Sequence, residues 1–207
     1  MKTALSPSPR RRLVCASLAV TPLFLLSCTD KSADRPPKFS SVDITGAEYA
    51  RNFELSDHDG QTRRLEDFRG RVVVVFFGFT QCPDVCPTTM AEMAEIKQVL
   101  GKDASRLQTI FITVDPERDT LPVLKAYMAN FDPAFVALRP TPEQLKAVAT
   151  DFKIYYKKVG DSKTAYSMDH TAGTYIFDAQ GQIRLFSRYG SGVQVLAADI
   201  RQLLNGA

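Results

Sequence analysis

The sequence predicts an α/β sandwich: a central mixed β-sheet flanked by helices, with a β-hairpin at the start of the domain. Three observations carry this. Residues 71–77 (RVVVVFF) are β-branched and aromatic without polar alternation, as in a strand buried on both faces of a sheet. Strand-like and helix-like segments then alternate along the chain, the order that builds a partly parallel sheet. Two turn signals, Asp59-Gly60 and Ala179-Gln180-Gly181, mark antiparallel hairpins, so the sheet is mixed.

The elements follow in order. Residues 53–55 and 64–65 form the arms of the first hairpin, and 71–77 the central strand. A helix is expected over 87–100: Pro87 suits a first helical position, Met90, Met93, Ala94 and Lys97 recur at helical spacing, and Gly101 stops it. A second strand covers 107–114, a helix 121–130, a short strand 135–138 and a helix 142–151. Residues 174–178 and 182–188 form the last hairpin, placed at the edge of the sheet, and 193–204 the last helix. No repeat or second linker interrupts this run, so residues 42–207 read as one domain.

Composition narrows the class. The chain has 207 residues, 44 % of them hydrophobic and 24 % charged, with four cysteines, two histidines and no tryptophan. These values fit a folded domain and disfavour disorder, a collagen-like fibre or a polytopic membrane protein. Four cysteines are too few for a stapled mini-protein.

The formal charge of +3 dissolves on inspection. Arg10-Arg11-Arg12 precede an uncharged, mostly apolar run over 13–26, too short for a membrane span of about 20 residues and interrupted by Pro22. A basic start, a short apolar centre and small residues behind it predict an export signal over residues 1–27. The end of the run, Leu25-Leu26-Ser27-Cys28, resembles the lipobox of bacterial lipoproteins, with Cys28 as the lipid acceptor. Residues 28–41, polar and containing Pro36-Pro37, read as a flexible tether. Cleavage would remove Lys2 and the three arginines, leaving 22 of 26 basic side chains against 23 acidic ones, a net of −1. A nucleic-acid partner then has no electrostatic support.

The segment with the most chemistry is Gly78-Phe79-Thr80-Gln81-Cys82-Pro83-Asp84-Val85-Cys86-Pro87, between the central strand and the first long helix. Sites in open α/β sheets gather at such carboxyl ends of strands. If the turn is helical, cysteines four apart share a face, close enough for a disulfide or joint metal coordination. A helix N-terminus should ease ionisation of both thiols. Three readings stand at this point. One is a structural disulfide, which closes a very short loop and so gains little entropically. The second is a thiol–disulfide oxidoreductase. The third is a soft-metal site: two sulfurs do not make a tetrahedral zinc set, but they suit Cu(I), and an added imidazole makes the site usable by Cu(I) or Cu(II).

His58 lies in the first hairpin turn and reads as a solvated loop residue. His170, in Met168-Asp169-His170-Thr171, precedes the last hairpin and by itself is an ordinary loop histidine.

Three separated motifs, Gly78-Phe79-Thr80-x-Cys82-Pro83-Asp84-x-Cys86-Pro87, Val114-Asp115-Pro116-x-Arg118-Asp119-Thr120 and Asp169-His170-Thr171, resemble the Sco/SenC family. Asp43-Ile44-Thr45-Gly46 and Phe53-x-Leu55-x-Asp57-x-x-Gly60 match that family's opening. The resemblance spans essentially the whole domain. It implies a thioredoxin-like fold, in which the His170 loop faces the cysteine turn. It further implies one copper ion held by Cys82, Cys86 and His170, and a role in assembling the dinuclear copper A centre of cytochrome c oxidase. The implied partners are oxidase subunit II and a periplasmic copper donor or thiol reductant. Nothing demands more than a monomer. With the lipobox, the domain is expected on the extracytoplasmic side of a cell-envelope membrane.

Two details favour this over other thioredoxin-like chemistry. Thioredoxin-type reductases resemble one another in a cis-proline before the strand facing the cysteines, whereas this chain has no proline after Pro142 and offers His170-Thr171 instead. Peroxidases of this fold use a threonine three residues before the reactive cysteine, where Phe79 stands before Cys82. Asp115 is expected near the same crevice, able to tune the site or meet a partner. Arg118 and Asp119 read as local capping and ion-pairing residues of the next helix. Asp84 is expected to be exposed and, as a hard carboxylate, not a copper ligand.

Overall fold

The computed structural model describes residues 38–160 and 165–207, together with Thr3. The expected signal segment, Cys28 and most of the tether lie outside the described residues. Among the described residues no helix is long and apolar enough to cross a membrane. Every element described here belongs to one compact unit, Pro36–Ala207.

The unit is an α/β sandwich around an eight-stranded mixed sheet. Its strands are β1 (Val42–Asp43), β2 (Glu54–Asp57), β3 (Thr62–Arg64), β4 (Val72–Gly78), β5 (Leu107–Thr113), β6 (Val136–Arg139), β9 (Gly173–Phe177) and β10 (Ile183–Arg188). Two further strands, β7 (Tyr156–Val159) and β8 (Ser167–His170), pair with each other in a separate sheet. The helices are α1 (Val85–Leu100), α2 (Leu121–Ala129), α3 (Pro142–Asp151) and α4 (Val193–Leu204).

The order across the main sheet is β1-β10-β9-β4-β5-β6-β2-β3. β4 runs parallel to β5, and β5 to β6, while β9 and β2 join antiparallel on either side. Each of the seven residues of β4 and of β5 is buried, which accounts for the unbroken apolar run in the first. The pleat divides the aromatic residues of β4. Phe76 turns to one face with Phe111 (centroids 6.2 Å apart), while Phe77 turns to the other, against Phe152 just past α3 (5.1 Å). Phe152 also meets Tyr175 of β9 edge-on at 5.3 Å. These contacts pack β4 on both faces, beneath the site at its carboxyl end.

Three differences from the expectations matter. Two-residue β1 pairs outside β10, so the last hairpin is one strand in from the edge. The N–H groups of Ser40 and Ser41 donate to the Asp199 carboxylate (2.9 and 2.8 Å), and Phe39 packs on the core, so the chain is docked before residue 42. The β7–β8 pair has no counterpart in the periodicity. Tyr156-Lys157-Lys158-Val159 is mostly exposed and shows no alternation of apolar and polar residues.

Candidate metal centre

Cys82 and Cys86 are not brought together by helical periodicity. Cys82 precedes α1, in a turn where its N–H donates to the Phe79 carbonyl (3.2 Å). Cys86 is the second residue of α1, which begins at Val85 rather than Pro87. Proline is tolerated at the third position because the first N–H groups of a helix have no intrahelical acceptor. Cys86 is fully buried and Cys82 half-buried, and both are free thiols.

Gly78 makes room for the buried thiol. A Cβ there would stand 2.8 Å from Cys86 Sγ and 2.9 Å from each of the Phe76 and Phe111 rings. A second device holds the turn. Asp119, wholly buried, accepts from Thr80 N–H (3.1 Å), Thr80 Oγ1 (2.6 Å) and Thr113 Oγ1 (2.5 Å). It therefore clamps the cysteine turn to the end of β5 and is not the cap of α2 that its position suggests. Thr120 occupies the cap position. The signal was the placement of Thr80 and Asp119 just beyond two adjacent parallel strands. Burial pushes the Asp119 carboxyl up.

His170 ends β8, a strand and not the expected loop. Its Nε2 lies 3.6 Å from Cys86 Sγ, and Phe76 and Phe79 meet its ring edge-on at 6.1 and 5.8 Å. Its Nδ1 lies 3.1 Å from the Thr171 carbonyl oxygen. An Nδ1–H donating there leaves the Nε2 lone pair facing the sulfur, the tautomer that a metal needs. The donor atoms of Cys82, Cys86 and His170 all lie within 4.8 Å of one another, the one such grouping of metal-ligating side chains among the described residues.

Burial governs the protonation of these groups. It pushes the Cys86 thiol well above its ordinary range, against the expected easy ionisation. The partial charge of a helix N-terminus is outweighed by loss of hydration. Burial also pulls the His170 imidazole down, which keeps it neutral and able to ligate. Two sulfurs and one imidazole nitrogen form a soft, three-donor set that matches copper and leaves a tetrahedral zinc shell incomplete.

The remaining residues sort by contact. Asp84 is exposed. His58 is only partly exposed and structural: its Nδ1 accepts from Ala137 N–H (3.1 Å), while its own N–H donates to the Ala137 carbonyl (3.0 Å). The hairpin turn is thereby stitched to β6, which burial of its backbone requires and a solvated loop would not. Asp115 is buried, ion-paired with Arg118, and accepts from the Tyr166 hydroxyl (2.8 Å).

Comparison with known proteins agrees with this geometry. The SCO1/SenC family model matches residues 42–205. An SCO2-like protein of Rickettsia felis is 40 % identical over 133 residues, covering 63 % of this chain and 65 % of that protein, just under two thirds of the relative's length. The copper-bound structure of Bradyrhizobium japonicum ScoI superposes with a TM-score of 0.68 at 38 % identity, covering 74 % of this chain and 98 % of that one. The solution structure of apo Sco1 from Thermus thermophilus gives 0.73 at 34 % identity, covering 81 % and 98 %. With the family match covering residues 42–205 of the folded unit and the cysteine pair and histidine converging at one point, this chain belongs to the SCO1/SenC family.

Proposed function

We propose that this chain is a copper metallochaperone that binds one copper ion through Cys82, Cys86 and His170 and assists assembly of the copper A centre of cytochrome c oxidase. The convergence of those three donors, from segments 84 residues apart, carries the reading. The copper-bound ScoI relative supports it. Loading would release protons, because the buried Cys86 must bind as thiolate. Oxidation of the pair to a disulfide would abolish the site and so couple copper release to redox state. The partners of this chain are oxidase subunit II, which receives the copper, and a periplasmic copper donor or thiol reductant. The domain is exported, held at a cell-envelope membrane through lipid on Cys28, with Asp115 supporting the site from behind.

One observation favours a second activity. Half-buried Cys82 is open to an incoming disulfide while buried Cys86 is not, an asymmetry suited to a thiol–disulfide exchange protein that keeps the oxidase cysteines reduced. Deletion of the gene, with oxidase activity measured at low and high copper, separates the two. Rescue by added copper supports delivery, a defect that copper leaves in place supports reduction, and unaltered oxidase in every condition refutes both.

A further inference from the structure

His170 ends a strand pair that makes no strand pairing with the main sheet. Strands β7 and β8 pair with each other alone. The placement of the imidazole over the cysteine turn is set by the short link through Thr171 and Ala172 into β9 and by side chains that cross between segments, and the polar part of that crossing converges on Arg118.

Arg118 lies in the connection between β5 and α2. Its Nη1 donates to the Tyr166 carbonyl (2.8 Å), at the foot of β8, and to Gln81 Oε1 (3.0 Å), next to Cys82. Its Nε donates to Asp115. The guanidinium lies 3.7 Å from the centroid of the Tyr166 ring and 5.8 Å from that of Phe79. Tyr166 closes the circuit by donating its hydroxyl to the other Asp115 oxygen (2.8 Å). From β7, Lys158 stands 4.0 Å from the Tyr166 centroid and pairs with Glu117 (2.8 Å). One side chain thus touches the cysteine turn, the β5–α2 connection and the histidine hairpin. Only a planar fork can stack on a ring while donating in several directions within its own plane, which an ammonium group cannot do.

We propose that Arg118 is the positioning residue of the metal centre: with Asp115 and Tyr166 it clamps the β7–β8 hairpin onto the cysteine turn and so sets the distance from His170 to the two sulfurs. The clamp itself is a property of the metal-free protein. Its consequence for copper rests on the three-donor reading above.

The test uses the full chain with Arg118→Ala and Arg118→Lys. In the metal-free, reduced protein, amide hydrogen exchange in β7 and β8 should quicken by about tenfold or more in both variants, with β4 and β5 little changed, since a clamp governs local opening rather than global unfolding. In the copper(II) form, the electron spin resonance coupling from the His170 nitrogen should be lost or broadened in Arg118→Ala while coordination by both sulfurs persists. Unchanged exchange in β7 and β8, or acceleration spread equally over β4 and β5, overturns the clamp. A wild-type copper spectrum in Arg118→Ala overturns the positioning role. If His170→Ala itself leaves the copper spectrum untouched, the copper reading fails, and the exchange result alone then decides the clamp.

Discussion

Cys86 Sγ and His170 Nε2 lie 3.6 Å apart although 84 residues separate them in the chain. The sulfur comes from the first turn of α1 and the nitrogen from the end of β8. The contact is made in a pocket walled by Phe76 and Phe79, where neither group is charged before metal arrives.

Copper titration of the reduced domain should saturate at one equivalent. His170→Ala should weaken binding by at least about 10- to 100-fold, since loss of even an outer-sphere partner costs that much. Unchanged affinity in that variant would remove His170 from the site.

The metal-free domain should lose stability as pH falls below about 6.5, the ordinary histidine value. His170 has its pKa lowered in the fold, so in this window the unfolded chain binds more protons than the native one, and stability falls with pH. His170→Gln should flatten this part of the curve in denaturant melts. An identical profile would show that His170 is not buried neutral.

Asp119 has the opposite sign. Its carboxyl is raised from 3.8, so the native state holds the proton longer, and its contribution to stability is full below 3.8 and fades as pH rises through the raised value. Asp119→Asn should remove that slope. Asp119→Ala should cost about 2–4 kcal/mol, because the Thr80 N–H and two hydroxyls lose their acceptor while buried. A loss under half a kcal/mol in chemical unfolding would rule out the clamp on the cysteine turn.

Gly78→Ala should destabilise the domain by about 1–3 kcal/mol through overpacking, and should weaken copper binding as well, because the added methyl group meets Cys86 Sγ first. Equal loss of stability with copper affinity intact would mean that the Phe76 and Phe111 rings absorb the strain instead.

Tyr127→Phe should be neutral or stabilising in thermal melts. The Tyr127 hydroxyl is buried without a hydrogen-bond partner between Phe111 and Phe131, and such a group loses its hydration for nothing in return. A clear destabilisation would reveal a partner for it.

Much of the fold was legible because its signals are local. The buried strand β4 shows in its valines, α1 in the helical spacing of Met90, Met93, Ala94 and Lys97, and the last hairpin in Ala179-Gln180-Gly181. The β7–β8 pair was not legible, since a short exposed edge strand carries no hydrophobic period to read. Asp119 was misread because a short polar residue before a helix has the same local appearance whether it caps that helix or reaches across to a neighbouring strand end. His58 was misread for a similar reason: a turn histidine says nothing of the strand it leans on.

By itself, then, the sequence determined the alternation of elements and the cysteine pair at the end of the central strand; His170 joined that pair as an expected donor only through the family resemblance. The tertiary structure decided the rest. That His170 meets Cys86, that Asp119 and Gly78 shape the turn, and that Arg118 joins three segments are all contacts across long stretches of chain. So too for protonation: a helix N-terminus readable in the sequence favours a thiolate at Cys86, but the depth of its burial, which only packing establishes, favours the thiol.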